Sequence, residues 1–127
     1  MEIKILSTSK FEINHRGHKI ISDQPKEAHG TDEGMSPVEI LVSSLGACVG
    51  VFISNLLARR NVPFDQCSIS LDWEMANNPR RVNQIYVKLL LPEGLSEEDK
   101  TAILKAANLC TVHNTLHNSP SIEINVV

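Results

Sequence analysis

The chain has 127 residues, with 12 basic and 15 acidic side chains and a formal net charge of −3. A chain of this length is most simply one domain, spanning residues 1–127, and it can bury a stable core without disulfide bonds or bound metal ions. Its aromatic residues are three Phe, one Trp and one Tyr. An acidic surface with so few stacking side chains excludes nucleic-acid binding as the expected function.

The cysteine count and the N-terminal pattern bear on the cellular compartment. Three cysteines are an odd number, and their spacing is unlike that of a small secreted scaffold, which favours a reducing compartment. Residues 1–6 alternate between apolar and polar and do not resemble a signal peptide. We therefore expect a cytoplasmic protein. The apolar run at 37–58 is long enough to cross a membrane, but serine, glycine and asparagine interrupt it, so we interpret it as a buried core helix and expect no membrane association.

Strand patterns open the chain. Residues 2–6, 11–14 and 19–22 have the alternation typical of strands, and 15–18 supply a turn. Residues 23–36 are rich in Pro, Gly and charged side chains and predict an exposed loop. The loop is long for so small a domain, and long ordered loops are often functional.

A long central helix follows. Ser36 is a good N-cap, Pro37 suits the first helical position, and Glu39 completes a capping box. The pattern runs to Arg59 and Arg60, so the helix is about 36 Å long. Gly46, Gly50 and Ser54 recur every four residues on one face. Because glycine weakens a helix, this stripe predicts that another backbone approaches closely there, with a subunit interface as one possibility.

The second half predicts a hairpin, a helix and a last strand. Residues 67–75 and 83–91 alternate cleanly around a turn at Asn77-Asn78-Pro79. Ser96 caps a second helix that carries Ile103 and Cys110 on its apolar face, and a short helical turn is expected at 112–117. Residues 121–127 alternate as a last strand. This order predicts an α+β fold with antiparallel sheets wrapped around a central helix.

The cysteines are the candidate reactive groups, and more than one interpretation of them is open. Cys48 lies deep in the apolar helix and Cys110 at the end of the second helical pattern, where each could be inert packing. A helix that restarts at Thr111 would offer N–H groups favouring a thiolate. Cys110, His113 and His117 at i, i+3 and i+7 could hold zinc if the helix were continuous, and His113 could instead be a base for Cys110. Cys67 alternates with apolar residues and is expected in the core.

Two segments resemble the OsmC/Ohr family of osmotically inducible and organic hydroperoxide resistance proteins. Residues 34–48 read GMSPVEILVSSLGAC, which is similar to the family's first-cysteine motif. Residues 110–116 read CTVHNTL, which is similar to its second, usually Cys-Pro-Val-Ser-x-x-Leu. Residues 27–34, EAHGTDEG, resemble its acidic, Gly-rich approach to the helix. The resemblance extends from about residue 20 to the end of the chain. Where the chain departs from the usual family pattern, it resembles a less characterised OsmC-like branch.

The resemblance implies an intertwined homodimer in which a dithiol pair reduces organic hydroperoxides at the subunit interface. Cys48 would be the peroxidatic thiolate and Cys110 the resolving thiol. An external dithiol reductant would regenerate them, and no cofactor or metal is implied. Family members also use a Glu and an Arg to activate the thiol. Their counterparts here are Glu39, one residue later than usual because Val38 takes the Glu position, and Arg16 in the N-terminal hairpin.

Two functions therefore stay open on the sequence. The first is a thiol-dependent peroxidase acting on organic hydroperoxides through Cys48 and Cys110. The second is a non-catalytic OsmC-like dimer that binds a small ligand and has poorly reactive cysteines. Substitutions at the usual Glu and Pro positions, now Val38 and Thr111, are the reason for keeping the second.

Overall fold

The computed structural model describes residues 1–126 and has the mixed α+β composition that the sequence predicts. Its main elements are, in chain order, β1 (Glu2–Ile5), β2 (Phe11–His15), β3 (His18–Ser22), α1 (Pro37–Arg59), β4 (Ser68–Ala76), β5 (Arg81–Leu90), α2 (Glu97–Ala107) and α3 (Thr111–His117). The residue contacts form two compact units, one over residues 1–43 and one beginning at Ser44.

The first unit contains an antiparallel sheet in the order β1-β2-β3. His15 pairs with His18, so the β2–β3 turn has two residues, Arg16 and Gly17. Both have positive φ angles, 51° and 80°, as a type I′ hairpin turn requires. The sequence therefore located these strands and their turn correctly.

A buried carboxylate organises the loop that follows β3. The Asp23 side chain is fully buried. Its two oxygens accept hydrogen bonds from Thr31 N, Thr31 Oγ1, Gln24 N, Glu33 N and Ser9 Oγ. The Thr31 hydroxyl is the largest cause of a pKa far below that of an ordinary aspartate, and the other donors add to it. The loop is therefore ordered around one ionised group.

The predicted capping box at the start of α1 is present. Ser36 N donates to Glu39 Oε2 at 2.7 Å, and Glu39 N donates to Ser36 Oγ at 3.4 Å. These bonds satisfy two of the N–H groups at the start of the helix. The Ser36 N–H also lowers the pKa of the Glu39 carboxyl, with the Ser36 hydroxyl as the second cause.

The core of the second unit is built on one stripe of α1. Its buried members on α1 recur every four residues, and Ile103 of α2 and Cys110 join them. The stripe on α1 consists of Leu45, Val49, Ile53 and Leu57. Arg60 of the turn after α1 forms an ion pair with Asp99, which itself belongs to the capping box of α2 with Ser96. The two helices are therefore joined by packing and by charge.

The glycine stripe of α1 packs against side chains of β4. A Cβ atom added at Gly46 would lie 2.6 Å from Leu71 Cδ1, and one added at Gly50 would lie 3.3 Å from Ile69 Cδ1. The expectation that another backbone approaches this stripe was therefore wrong. Two branched side chains of the facing strand fill the space instead, because they project from the sheet toward the helix.

β4 and β5 form the predicted hairpin, with Trp73 opposite Ile85, Leu71 opposite Val87 and Ile69 opposite Leu89. The pairing shifts between Glu74 and Met75. That irregularity turns Met75 out, so it is exposed although the alternation predicted it to lie on the inner face.

The predicted last strand at 121–127 is not formed over residues 121–126, and Val127 lies outside the described residues. Ile122, Ile124 and Val126 are exposed here, Ile124 by 89 %. A strand exists only where a neighbouring strand takes up its hydrogen bonds, and the described part of this chain offers none to this segment. The alternation of apolar and polar residues could not show that this segment has no neighbouring strand among the described residues.

One helix, α1, is long and apolar enough to cross a membrane by length and composition. Its most apolar 18-residue window has a mean hydropathy of 2.1, and 33 % of that window is buried. A helix in the core of a globular protein has the same composition. The stripe of α1 from Leu45 to Leu57 is buried in the core of the second unit.

Candidate redox site

Cys110 lies in the short non-helical connection between α2 and α3. Poor helix formers, Thr111 and Val112, follow it, and the α2 pattern ends at Ala107. Cys110 adopts an extended conformation with φ −59° and ψ 126°, and α3 begins at the next residue. Cys110 is therefore the N-cap of α3 and not, as the sequence suggested, the last apolar residue of α2.

The structure brings Cys48 and Cys110 together. They share a side-chain hydrogen bond, which lowers the pKa of Cys48 and raises that of Cys110, and these opposite directions identify Cys110 as the donor. Cys110 is completely buried, with 0 % exposure, whereas Cys48 is half-buried. The pair therefore has one sulfur that small molecules can approach and one that they cannot.

The two thiols have opposite pKa shifts. The Cys110 donor lowers the pKa of Cys48, and the backbone N–H groups of Val112 and Thr111 lower it further. Burial raises the pKa of Cys110, and the hydrogen bond that it donates to Cys48 raises it again. A donor loses that bond when it ionises, so the arrangement places the negative charge on Cys48.

The start of α3 serves both sulfurs. His113 N donates to Cys110 Sγ at 3.3 Å, while the N–H groups of Thr111 and Val112 face Cys48. The sequence predicted that a restarted helix would favour a thiolate at Cys110. Two of its N–H groups instead lower the pKa of Cys48. Cys48 lies 62 positions before Cys110, so no local sequence pattern could identify this pairing.

The histidines of α3 stack on one another. The His113 and His117 rings lie 4.3 Å apart with an interplanar angle of 2°, and His117 Nδ1 is 3.2 Å from the His113 carbonyl oxygen. The zinc alternative required Cys110 on a continuous helix with both rings, but Cys110 caps the helix and its sulfur is buried. The described residues contain no group of three His, Cys, Asp or Glu side chains that could hold a metal ion.

Cys67 lies apart from the pair, in the turn before β4. It is half-buried, and its thiol donates to the Pro63 carbonyl oxygen at 3.5 Å. It packs against the edge of the core, where the sequence predicted it, and it also borders a cavity of about 270 Å³. The walls of this cavity are mainly apolar and come from Gly50, Ile53, Ser54, Leu57, Phe64, Cys67, Ser68, Ile69, Leu89, Leu90 and Leu91.

The other two predicted site residues lie in the first unit. Arg16 occupies the β2–β3 turn, and among residues 1–126 its guanidinium has no hydrogen-bond or ion-pair partner. The carboxylate of Glu39 is already bonded to Ser36 in the capping box. Arg16 is thus available to bind a polar group, whereas the Glu39 carboxylate already accepts one hydrogen bond at the helix start.

Solved structures with the same fold include three informative relatives. A protein from Psychrobacter arcticus 273-4 with a proposed osmotic stress induced and detoxification role has a TM-score of 0.82 and 21 % identity, over 90 % of this chain and 85 % of that chain. An OsmC-like protein from Mycoplasma pneumoniae has a TM-score of 0.75 and 21 % identity, over 93 % and 87 %. An organic hydroperoxide resistance protein from Elizabethkingia anophelis has a TM-score of 0.68 and 13 % identity, over 94 % and 90 %.

At these identities the structural relatives establish the fold alone, and a search of curated protein sequences finds no matching relative. The family assignment comes from the sequence itself. The OsmC-like protein family model matches residues 30–125, a range that contains α1, both cysteines of the pair and all of α3. The chain belongs to the OsmC-like protein family.

Proposed function

We propose that the protein is a thiol-dependent peroxidase that reduces organic hydroperoxides with Cys48 and Cys110. The single observation that carries this proposal is the hydrogen bond from the buried Cys110 thiol to the half-buried Cys48 sulfur. It supplies a nucleophile with a lowered pKa and a second thiol within reach. Family membership, and the name of the Elizabethkingia relative, add support.

In the first step the Cys48 thiolate attacks the terminal oxygen of the hydroperoxide. An S–O bond forms and the O–O bond breaks, so Cys48 becomes a sulfenic acid and the leaving alkoxide takes a proton to become an alcohol. The three donors that face Cys48 stabilise its thiolate before the attack. The peroxide reaches it because Cys48 is the accessible member of the pair.

In the second step Cys110 attacks the sulfenic sulfur. An S–S bond forms, the hydroxyl group leaves as water with the Cys110 proton, and the protein has lost two electrons to the peroxide. An external dithiol then returns the pair to its reduced form by thiol–disulfide exchange. Because Cys110 has a raised pKa, it stays protonated until its neighbour is oxidised, which keeps the roles of the two thiols distinct.

Arg16 and Glu39 are proposed as helpers of the first step. An unpaired guanidinium can bind a polar peroxide oxygen through its planar fork of N–H donors. The Glu39 carboxylate also belongs to the capping box. Glu39→Gln removes its negative charge but keeps an acceptor oxygen for Ser36 N, so this variant tests the charge without removing the cap. Arg16→Lys similarly keeps the charge of Arg16 but not its planar fork.

Stopped-flow consumption of cumene hydroperoxide tests the proposed function. We expect Cys48→Ser to lower the rate by roughly a thousandfold or more, because serine is not ionised at neutral pH and its hydroxyl is a poor nucleophile. Cys67→Ser is the matched control, since it removes another half-buried thiol, and it should keep the wild-type rate. Equal rates in wild type and Cys48→Ser would refute the proposal.

A second candidate function is supported by the cavity beside Cys67. Its volume of about 270 Å³ and its apolar walls fit a small apolar ligand, so a non-catalytic binding dimer is the alternative. Alkylation of Cys48 by iodoacetamide, followed against pH, separates the two. A peroxidase requires a Cys48 pKa below the ordinary thiol value of about 8.5, and therefore alkylation that persists as the pH falls below 8. A midpoint at the ordinary value would favour the binding function.

We propose that two chains form a homodimer. On α1, Val51 is 58 % exposed and shares its face with the exposed Ala47 and Ala58, and the exposed apolar tail at 121–126 offers a second unpaired surface. Light scattering after size exclusion should give twice the mass of one chain. Val51→Asp should shift it to one chain, while Ser70→Asp, on the exposed face of β4, should not. A wild-type mass of one chain would rule out the dimer.

A further inference from the structure

The short helix α3 depends on sulfur atoms for its start. It has seven residues, none of them buried, and helices this short are marginal without help at their ends. Its first N–H groups need acceptors from outside the helix. His113 N has Cys110 Sγ at 3.3 Å, and the N–H groups of Thr111 and Val112 have the Cys48 sulfur.

A disulfide between these two cysteines is incompatible with that cap. The sulfurs must move from hydrogen-bond distance to about 2.05 Å, with a Cβ–S–S–Cβ dihedral near 90°. The movement pulls Cys110 Sγ away from its position under His113 N. Cys48 also loses the negative charge that makes its thiolate a strong acceptor, because a disulfide sulfur is neutral.

We propose that α3 is a redox-controlled element, held in place by the reduced sulfurs of Cys48 and Cys110 and released when they are joined. The proposal rests on the proposed function for its oxidant. The two thiols give up two protons and two electrons as the S–S bond forms, and the hydroperoxide takes them up to become an alcohol and water.

Release of α3 widens the access of the reductant to the disulfide. A reducing thiolate must approach one disulfide sulfur along the S–S axis; in the reduced protein the half-buried Cys48 offers such a target, whereas Cys110 is fully buried. Val112 is the member of α3 that packs on the core, so little else holds the helix. Once the cap is lost, α3 can move aside and open the disulfide to the incoming dithiol.

Hydrogen–deuterium exchange of the full-length protein tests the proposal. In a Cys67→Ser background, so that only one disulfide can form, the peptide spanning 111–117 is compared in the reduced state and after oxidation by diamide. We expect exchange roughly five- to tenfold faster when oxidised, the effect of losing a helix cap. The helix α2, whose cap is Ser96 and Asp99, is the internal reference and should not change.

Cys110→Ser is the matched variant. Serine is a good N-cap but forms no disulfide, so α3 should stay protected with and without diamide. Cys110→Ala removes the cap as well, and its α3 should exchange rapidly in both conditions.

Three outcomes decide the matter. Unchanged protection of α3 in a protein whose Cys48–Cys110 link is verified by peptide mapping would overturn the proposal, and so would failure of diamide to form the link. If diamide links the pair and opens α3 but cumene hydroperoxide does not form the link, the release of α3 stands and the peroxidase function fails.

Discussion

Cys110→Ser is expected to stop the catalytic cycle after its first step, with Cys48 left as a sulfenic acid. Serine at 110 can donate to the Cys48 sulfur and accept from His113 N, as the native thiol does, so the first step should keep nearly the wild-type rate. The sulfenic acid then has no neighbour to condense with. Steady-state turnover with a dithiol should fall by roughly 100-fold or more, because resolution becomes bimolecular.

Mass spectrometry separates this outcome from simple loss of activity. With one equivalent of peroxide, Cys48 of the serine variant should gain one oxygen atom, and excess peroxide should add a second to give the sulfinic acid. Cys110→Ala removes the donor to Cys48, so its first step should be slower than that of the serine variant. A serine variant that turns over like the wild type would mean that Cys110 does not resolve the sulfenic acid.

Gly30→Ala is expected to cause the largest loss of stability among the glycine substitutions of this chain. A Cβ atom at position 30 would overlap the backbone carbonyl of Gln24, which has no side-chain freedom with which to move away. The loop around Asp23 must therefore shift, and its hydrogen bonds with it. We expect the free energy of unfolding to fall by about 3 kcal/mol or more, in the range of severe backbone conflicts.

Gly17→Ala is the matched control, measured with Gly30→Ala by urea denaturation. Gly17 has a φ of 80° but open space around its Cβ position, so alanine there should cost only about 1 kcal/mol of conformational strain. Similar losses in the two variants would contradict the explanation by contact with Gln24. A change in the slope of the denaturation curve would point instead to an effect on the unfolded state.

Elements with strong local signals were predictable from the sequence. The capping boxes at Ser36 and Ser96 fixed the starts of α1 and α2, because these signals lie within four residues of the helix that they start. The turn residues at 15–18 located the hairpin of β2 and β3 in the same way, although its register comes from the structure. The alternation in β4 identified its inward face up to the irregularity at Glu74.

The sequence predictions that failed concerned contacts between residues far apart in the chain. The strand predicted at 121–127 needed a neighbouring strand that its own sequence does not encode. The filling of the Gly46 groove by Leu71 required knowing which strand faces α1. At the candidate site, the two cysteines could be named from motifs, but not the direction of the hydrogen bond between them. The N–H groups of Thr111 and Val112 could not be assigned to Cys48, since that pairing joins residues more than 60 positions apart.

The Asp23 network has a consequence for acid tolerance. Because folding lowers the pKa of this carboxyl, the unfolded chain binds its proton at higher pH than the folded chain does, and the ionised carboxylate favours the folded state. That contribution is complete above the ordinary aspartate value of about 3.9, and it disappears only as the pH falls through the lower folded value. Mild acidification of the surroundings should therefore leave the Asp23 carboxylate ionised and the loop before α1 held in its folded conformation.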